Sequence, residues 1–494
     1  MRYQSTRDKS ISFTSAEAIA RGLSRDGGLF VPEEIPAITL EEIEKLCTMR
    51  YQDRAVYIMK KYLDDFSEAE LQDFTSKGYS DNYDTDKIAP VYKLDDNTFF
   101  LELWHGPTCA FKDMALQMLP HLLTASLVKN GEEKQVCILV ATSGDTGKAA
   151  LEGFKDVEGT EIIVFYPGDG VSDIQKLQMA SQSGDNVGVC SVVGNFDDAQ
   201  TGVKMIFSDE ELRERLADKG YFLSSANSIN WGRLLPQVVY YVSAYCDVVN
   251  SGAVKMGDAI NFCVPTGNFG NILAGYYAKK MGVPVNKLIC ASNSNDVLTE
   301  FINTGVYNKN REFYTTISPS MDILVSSNLE RLIFEMSGKD EEKIRGYMSD
   351  LNTKGVYTVD EKIKSAIDAE FAAGCCSEEE TQAIIGKTFK DKNYLIDTHT
   401  AVAYHVMEAY RKDTGDDTTS VVVSTASPYK FCAAVLEALG EDANDDGLKL
   451  IDKLVEVSKV EAPKPIVALK DKKVRFDGWV NKEEMTKVVE DFLV

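Results

Sequence analysis

Lys112 is the first residue of this chain whose type and setting could do chemistry. It lies in His105-Gly106-Pro107-Thr108-Cys109-Ala110-Phe111-Lys112-Asp113. The apolar segment Phe99-Phe100-Leu101-Glu102-Leu103 precedes that stretch, and a helical pattern from Met114 to Val128 follows it. A lysine at such a strand-to-helix junction, flanked by apolar residues, can lose its proton by desolvation and become an amine nucleophile. Most lysines are solvated surface amines, so the position alone decides nothing.

Two further turns change the weight of that lysine. Ala141-Thr142-Ser143-Gly144-Asp145-Thr146-Gly147-Lys148-Ala149-Ala150 follows the apolar run Val136-Cys137-Ile138-Leu139-Val140 and leads into a short helix, Ala149 to Phe154. A hydroxyl- and glycine-rich turn at a helix start offers free N–H groups and a positive dipole end to an anion. It is not a Walker A loop, because the spacing is two residues short and Ala149 stands where a magnesium-binding hydroxyl belongs. The second turn, Val264-Pro265-Thr266-Gly267-Asn268-Phe269-Gly270-Asn271, follows the strand pattern Ala259-Ile260-Asn261-Phe262-Cys263 and precedes a helix, Ile272 to Met281. Its two glycines permit tight turning and close backbone approach, which suits a phosphate group. It lacks the Gly-x-Gly-x-x-Gly dinucleotide fingerprint. Either turn alone reads as an ordinary connection. Three such features at strand C-terminal ends of an alternating β/α chain point to a ligand site, because open α/β sheets bind ligands at those ends.

The set resembles the threonine synthases, pyridoxal-phosphate enzymes of the tryptophan-synthase-β fold type. The resemblance runs along most of the chain: Leu23-Ser24-Arg25-Asp26-Gly27-Gly28-Leu29-Phe30-Val31-Pro32, the lysine segment, both turns, Asn227-Ser228-Ile229-Asn230-Trp231-Gly232-Arg233, Met321-Asp322-Ile323-Leu324-Val325-Ser326-Ser327-Asn328, Asp397-Thr398-His399-Thr400-Ala401 and Ser424-Thr425-Ala426-Ser427-Pro428-Tyr429-Lys430-Phe431. It implies that Lys112 carries pyridoxal 5'-phosphate covalently and then moves protons. Gly267, Asn268, Phe269, Gly270 and Asn271 would cradle the cofactor phosphate. Thr425 would lie near the pyridine nitrogen. Asp145 occupies the place where some relatives carry an Asn facing the ring's 3'-oxygen; its plain alternative is a turn carboxylate capping the next helix. Ser143, Thr146, Lys148, Arg233 and Lys430 are the candidates for binding an anionic substrate, each open to a second reading as surface charge or turn residue. Ser427 departs from the family's Thr-Ala-His-Pro segment, which bears on details beside the substrate. The implied reaction converts O-phospho-L-homoserine and water into L-threonine and phosphate. Two alternatives stay open: a related phospho-lyase releasing a keto acid, and a non-catalytic cofactor-bound regulator.

The bulk of the chain bounds these readings. With 494 residues, 44% hydrophobic and 26% charged, it has room for two or three domains and a large core. A formal charge of −24 disfavours nucleic acid and anionic membranes. An acidic protein that binds an anionic cofactor and substrate must override its own field locally. Ten cysteines, none in a Cys-x-x-Cys pair, read as reduced core thiols of a cytoplasmic protein. Cys109, three residues before Lys112, is the one that could make a site oxidant-sensitive. No signal core and no membrane span are evident. Asp442-Ala443-Asn444-Asp445-Asp446-Gly447 begins like a calcium loop, but Lys453 replaces the bidentate Glu, so a turn before a helix is expected. His399 and His405 do not share a helix face, so no metal is expected. The protein is expected to act as a monomer or homodimer on a small molecule.

The expected fold class is α/β, with mostly parallel open sheets in two lobes, the pyridoxal-phosphate fold type II, and a helix-rich N-terminal domain. Residues 1–95 form that N-terminal domain and residues 96–460 the catalytic region. The resemblance puts a smaller lobe at about 136–249. Strand patterns fall at 97–103, 136–141, 161–166, 187–193, 259–264, 287–292 and 419–425. A helical insert spans about 328–390. The C-terminal segment 461–494 ends in a surface helix from Asp477 to Val494, after the break Glu461-Ala462-Pro463-Lys464-Pro465.

Overall fold

The strand patterns of the sequence become two parallel sheets. The computed structural model describes residues 1–142, 144–168 and 171–493, without the side chain of Asp197. In chain order the strands are β1 Tyr3–Ser5, β2 Ser12–Phe13, β3 Phe30–Pro32, β4 Val91–Lys93, β5 Thr98–Glu102, β6 Gln135–Ala141, β7 Thr160–Pro167, β8 Val187–Val192, β9 Tyr221–Ser224, β10 Ile260–Pro265, β11 Val285–Ser292, β12 Val306–Asn308, β13 Val356–Thr358, β14 Phe371–Cys375, β15 Ser420–Ser424 and β16 Trp479–Val480. The six-stranded sheet runs β14-β11-β10-β15-β5-β4. All its pairs are parallel except the antiparallel edge β4–β5. The five-stranded sheet runs β16-β8-β7-β6-β9 and is parallel throughout. Strands β6, β10 and β15 are continuous apolar runs because helices cover both faces of a parallel sheet and leave no solvent side to pattern.

This arrangement brings three strand ends together. In the larger sheet β15 lies between β10 and β5, and Ser424 is in register with Glu102. The C-terminal ends of these three neighbours feed the turn at 267–271, Thr425, and the loop to Lys112. β6 delivers the turn at 142–148 from the other sheet.

Several elements differ from the sequence expectation. The N-terminal stretch has its helices (Ser15–Arg21, Leu40–Cys47, Tyr51–Tyr62 and Glu68–Gly78) but also an antiparallel sheet, β2-β1-β3. It shares its core with the long helix Trp231–Asn250: the Trp231 ring meets those of Tyr3 at 5.4 Å and Tyr62 at 5.6 Å. That helix, which the resemblance puts at the end of the smaller lobe, packs on the helices Leu40–Cys47, Tyr51–Tyr62 and Gly270–Met281. The stretch 328–390 is not wholly helical, since β14 pairs in parallel with β11 as an edge of the larger sheet. The C-terminal helix is shorter than the stretch from Asp477 to Val494, and a strand precedes it. β16 extends the smaller sheet beside β8, and Met485 and Val489 of the helix Met485–Phe492 are buried in its apolar layer. The helix expected from Met114 to Val128 is broken into Asp113–Leu116 and Leu119–Lys129. Asp446 caps the helix Gly447–Ser458, so the calcium-like stretch is a turn before a helix. No helix among the described residues is long and apolar enough to cross a membrane.

Candidate active site

Lys112 is placed by two loops that zip together. Phe111 N–H donates to the Thr425 carbonyl at 2.8 Å, Ser427 N–H donates to the Cys109 carbonyl at 3.0 Å, and Ala110 bridges Ala426. The loop leaving β5 is thereby fixed to the loop leaving β15, and Lys112 and Thr425 become neighbours. Cys109 adopts a left-handed backbone, φ 59°, to make this turn. Its thiol is buried, and burial pushes its pKa up strongly. It is therefore a poor thiolate and not the oxidant-sensitive position its spacing suggests. Asp113 accepts from the Thr108 amide at 2.9 Å and from its hydroxyl at 2.7 Å, which closes the Gly-Pro turn.

Lys112 Nζ lies 3.1 Å from Ser320 Oγ, 3.7 Å from Asp145 Oδ2 and 4.9 Å from the centre of the Phe111 ring. Burial is the largest influence and lowers its pKa to about 8; Asp145 pulls the other way, while Arg233 and Lys430 add to the depression. Desolvation wins here, and the amine is poised near neutrality as a nucleophile or base must be. Asp145 is the buried counter-charge. Its Oδ1 accepts from Lys430 Nζ at 2.8 Å and from Gln175 Nε2 at 2.8 Å. Burial opposes its charge, but Lys430 and Lys112 outweigh that and hold it well below the usual carboxylate range.

The candidate substrate cations separate into two kinds. Lys430 is fully buried and tied to Asp145 and to the Thr108 carbonyl at 2.8 Å. Lys148 is buried and donates to Glu152 at 2.8 Å and to Gln182. Neither is a free clamp. Arg233 is buried too, but its guanidinium meets only the Ala226 carbonyl, at 2.6 Å, and no carboxylate among the described residues. Burial lowers its pKa to about 10, so it stays charged at neutral pH. A buried, charged, acid-free guanidinium is costly unless an anion completes it. Thr146 is half-buried on the first turn of the helix Asp145–Phe154. Ser143 lies outside the described residues.

The turn at 267–271 has a different character. No protein acceptor meets the backbone N–H of Asn268, Phe269, Gly270 or Asn271 among the described residues. The helix Gly270–Met281 starts there without a side-chain cap. Asn271 Oδ1 accepts from Tyr240 and Tyr241 at 2.7 Å each, while its buried Nδ2 has no partner. Orphaned donors converging on a helix start are what an anion would satisfy. The tight turn is made by Phe269, φ 63°, not by either glycine. Gly267 is required for another reason: a Cβ there would sit 2.5 Å from the Ser320 carbonyl oxygen. At Gly270 the nearest atom would be 3.4 Å away.

Family models match three consecutive parts of the chain: the threonine synthase N terminus over residues 2–79, the pyridoxal-phosphate dependent enzymes over 87–426 and the threonine synthase C-terminal part over 400–491. Threonine synthase of Saccharomyces cerevisiae is 37% identical over 472 residues, covering 90% of this chain and 90% of that protein. The chain belongs to the threonine synthase family of pyridoxal-phosphate-dependent enzymes. A crystal structure of threonine synthase from Brucella melitensis with pyridoxal phosphate bound superposes with a TM-score of 0.88, at 38% identity over 100% of this chain and 98% of that one. Threonine synthase-like 1 of Homo sapiens is 42% identical over 435 residues, which are 86% of this chain and 58% of that protein. The chain thus matches somewhat over half the length of the threonine synthase-like 1 proteins.

A threonine synthase scaffold demands a place for pyridoxal phosphate, and the residues fit it. Lys112 offers an amine of lowered pKa, the turn at 268–271 offers unsatisfied donors, and Thr425 Oγ1 has no protein partner among the described residues. The fold also recruits residues that sequence spacing does not single out. Gln175 reaches Asp145 from the first turn of the helix Asp173–Ala180. Ser320 receives Lys112, and His399 receives the Ser320 amide at 3.2 Å. The Asp-x-His spacing at 397–399 was the available signal: Asp397 caps the helix Thr398–Thr414 and holds the ring of His399. His405 is drawn elsewhere, with Cys376 and Glu380, whose ligand atoms lie within 4.8 Å of one another. Glu380 is there committed to capping the helix Glu378–Lys392.

Proposed function

We propose that this chain converts O-phospho-L-homoserine and water into L-threonine and inorganic phosphate. Pyridoxal 5'-phosphate, when bound, supplies an electron sink for charge developing on the substrate carbons. Lys112 would hold it, with its phosphate on the amides of 268–271 and the Asn271 side chain. Thr425 offers a neutral hydroxyl rather than a carboxylate, which suits elimination and replacement over chemistry that stores full charge on a ring. Lys112 Nζ, with its pKa near 8, takes and returns protons at the α and β carbons at neutral pH. Arg233 binds an anionic group of the substrate; Thr146, on the first turn of the helix Asp145–Phe154, is a further candidate contact, and Ser143 is one by sequence alone. Lys430 and Lys148 serve the site indirectly, by neutralising Asp145 and Glu152.

The observation that carries this reading is that Lys112 after β5 and the turn at 267–271 after β10, strands on either side of β15, both reach Ser320, and that the amides at 268–271 meet no acceptor among the described residues. Once Lys430 and Asp145 cancel and Lys112 is neutral, Arg233 leaves the pocket locally positive within a chain of net charge −24. The deciding experiment incubates the purified protein with O-phosphohomoserine and identifies the product. Threonine with stoichiometric phosphate supports the reading. A second reading keeps the alternative left open by the sequence: the same residues in a phospho-lyase, in which case the product is 2-oxobutanoate. Absence of phosphate release would make the protein a non-catalytic, cofactor-bound one. Ten cysteines without a disulfide support a cytoplasmic setting. The protein would act as a monomer or homodimer.

A further inference from the structure

Ser320 touches three parts of the site and has been given no task. Its hydroxyl accepts from Lys112 Nζ at 3.1 Å, and its amide N–H donates to His399 Nε2 at 3.2 Å. Its carbonyl oxygen abuts Gly267 so closely that a Cβ there would lie 2.5 Å away. His399 is buried and braced: Nδ1 is 2.8 Å from Asp397 Oδ2, and the Phe431 ring packs at 5.0 Å. A backbone N–H can only donate, so Nε2 must be the acceptor, and the ring proton sits on Nδ1 facing Asp397. The ring is then a neutral strut in one tautomer. The turn Pro319–Met321 that carries Ser320 is tied from its other side as well: Asn293 Nδ2 donates to Ser318 Oγ at 2.9 Å and to Asp322 Oδ1 at 2.8 Å.

We propose that Asp397 and His399 are positioning residues that act on Lys112 through Ser320, holding the free amine off the Asp145 carboxylate. This rests on the reading of Lys112 as the working amine. Nζ sits at hydrogen-bond distance from Ser320 but 3.7 Å from Asp145. Remove the strut, and the Ser320 turn loosens and the ammonium closes on the carboxylate. A carboxylate offers the ammonium an opposite charge that the hydroxyl does not, so direct contact favours the ammonium form. The other charged groups facing Nζ, Arg233 and Lys430, are unchanged by that loss.

The test has an arm that needs no turnover. In the full-length chain freed of cofactor, Lys112 is labelled with an amine reagent across pH and quantified by peptide mass spectrometry. Ser320→Ala and His399→Leu should each raise the labelling midpoint by roughly half to one pH unit. The double variant should add nothing further, because both act on one contact. His399→Gln, which keeps an acceptor for the Ser320 amide, should restore the midpoint. In the loaded enzyme, His399→Leu should lower kcat severalfold with KM little changed. Should turnover never involve Lys112, the labelling arm still reports on the strut, so failure of the reading and failure of the strut are separable. A midpoint that stays put or falls in His399→Leu overturns the proposal. Should that variant not fold, Ser320→Ala carries the labelling arm. Nitrogen NMR of the unmutated protein, which has four histidines, then reads the tautomer. A proton on Nε2 of His399 would also overturn it.

Discussion

The turn at 142–148 after β6 and the turn at 267–271 after β10 share one local pattern, strand to polar turn to helix, yet they end electrically opposite. The first is charged and ties down part of its own backbone. Thr142 Oγ1 takes the amides of Gly144 and Gly147, and the turn's two charged side chains are each paired, Asp145 with Lys430 and Lys148 with Glu152. The second carries no charged side chain, and its amides at 268–271 and the Asn271 Nδ2 meet no acceptor among the described residues. The difference teaches what each turn is built for. A dianion is held well by neutral dipoles that need no counter-ion. An amine that must change protonation needs fixed neighbours of both signs around it.

The largest break in this comparison comes from Lys112→Ala. If the charged turn exists to poise that amine, phosphate release from O-phosphohomoserine should fall by about a thousandfold or more in a steady-state assay. Activity within tenfold of the parent would detach the charged turn from the chemistry.

The neutral turn is tested by its two glycines, which the sequence treats alike and the structure does not. Gly267→Ala pushes a Cβ against the Ser320 carbonyl, so cofactor affinity should fall by about five- to a hundredfold, the cost of about 1–3 kcal/mol of overpacking. Gly270→Ala meets side-chain atoms of Asn328, Gln237 and Ser228 no nearer than 3.4 Å and should change affinity little. Equal effects in a cofactor titration would refute the assignment.

Between the turns stands the contrast of a free cation with a paired one. Arg233→Lys keeps the charge but loses the planar fork, so kcat/KM should drop about tenfold with cofactor affinity unchanged. Lys148→Met should instead strand Glu152 and cost about 1–3 kcal/mol of stability, read by denaturant unfolding. A large catalytic loss in a stable Lys148→Met protein would reverse the two roles.

The smallest effect concerns the approach to Lys112. His105 bridges Asp84 at 2.5 Å and Glu102 at 2.8 Å. Burial disfavours its charge, but these two carboxylates prevail and raise its pKa to about 9. The folded state then binds more protons than the unfolded one between about pH 6.5 and 9. The stabilisation is complete below that window and is lost as pH rises through it. About 1 kcal/mol of the parent's stability should disappear between pH 6 and 9.5 beyond that lost by His105→Gln. Parallel pH profiles for the two proteins would remove His105 from the support of the lysine loop.

Much of this was written locally. Continuous apolar runs ending in glycine and hydroxyl residues announce buried parallel strands, and seven such runs are strands β5, β6, β7, β8, β10, β11 and β15. Lys112 and both turns were legible for the same reason: each is a property of a few consecutive residues. The strands that escaped lack that signal. Phe371-Ala372-Ala373-Gly374-Cys375 is mostly small residues and becomes β14 only because β11 offers it an edge. Trp479-Val480 is too short to have a period and is strand only beside β8.

What only the tertiary structure decided is which charges are free. Arg233, Lys148 and Lys430 look equivalent as letters near polar turns. Lys430 is occupied because the fold carries it to Thr108, 322 positions earlier, and to Asp145. Ser320 gains its place by meeting Lys112 and His399 from 208 and 79 positions away. Periodicity and turn chemistry reach only across a helix turn or a hairpin. Burial and pairing belong to segments that meet after the sheets have formed, so the strand order, not the spacing, left Arg233 charged, buried and without an acid among the described residues.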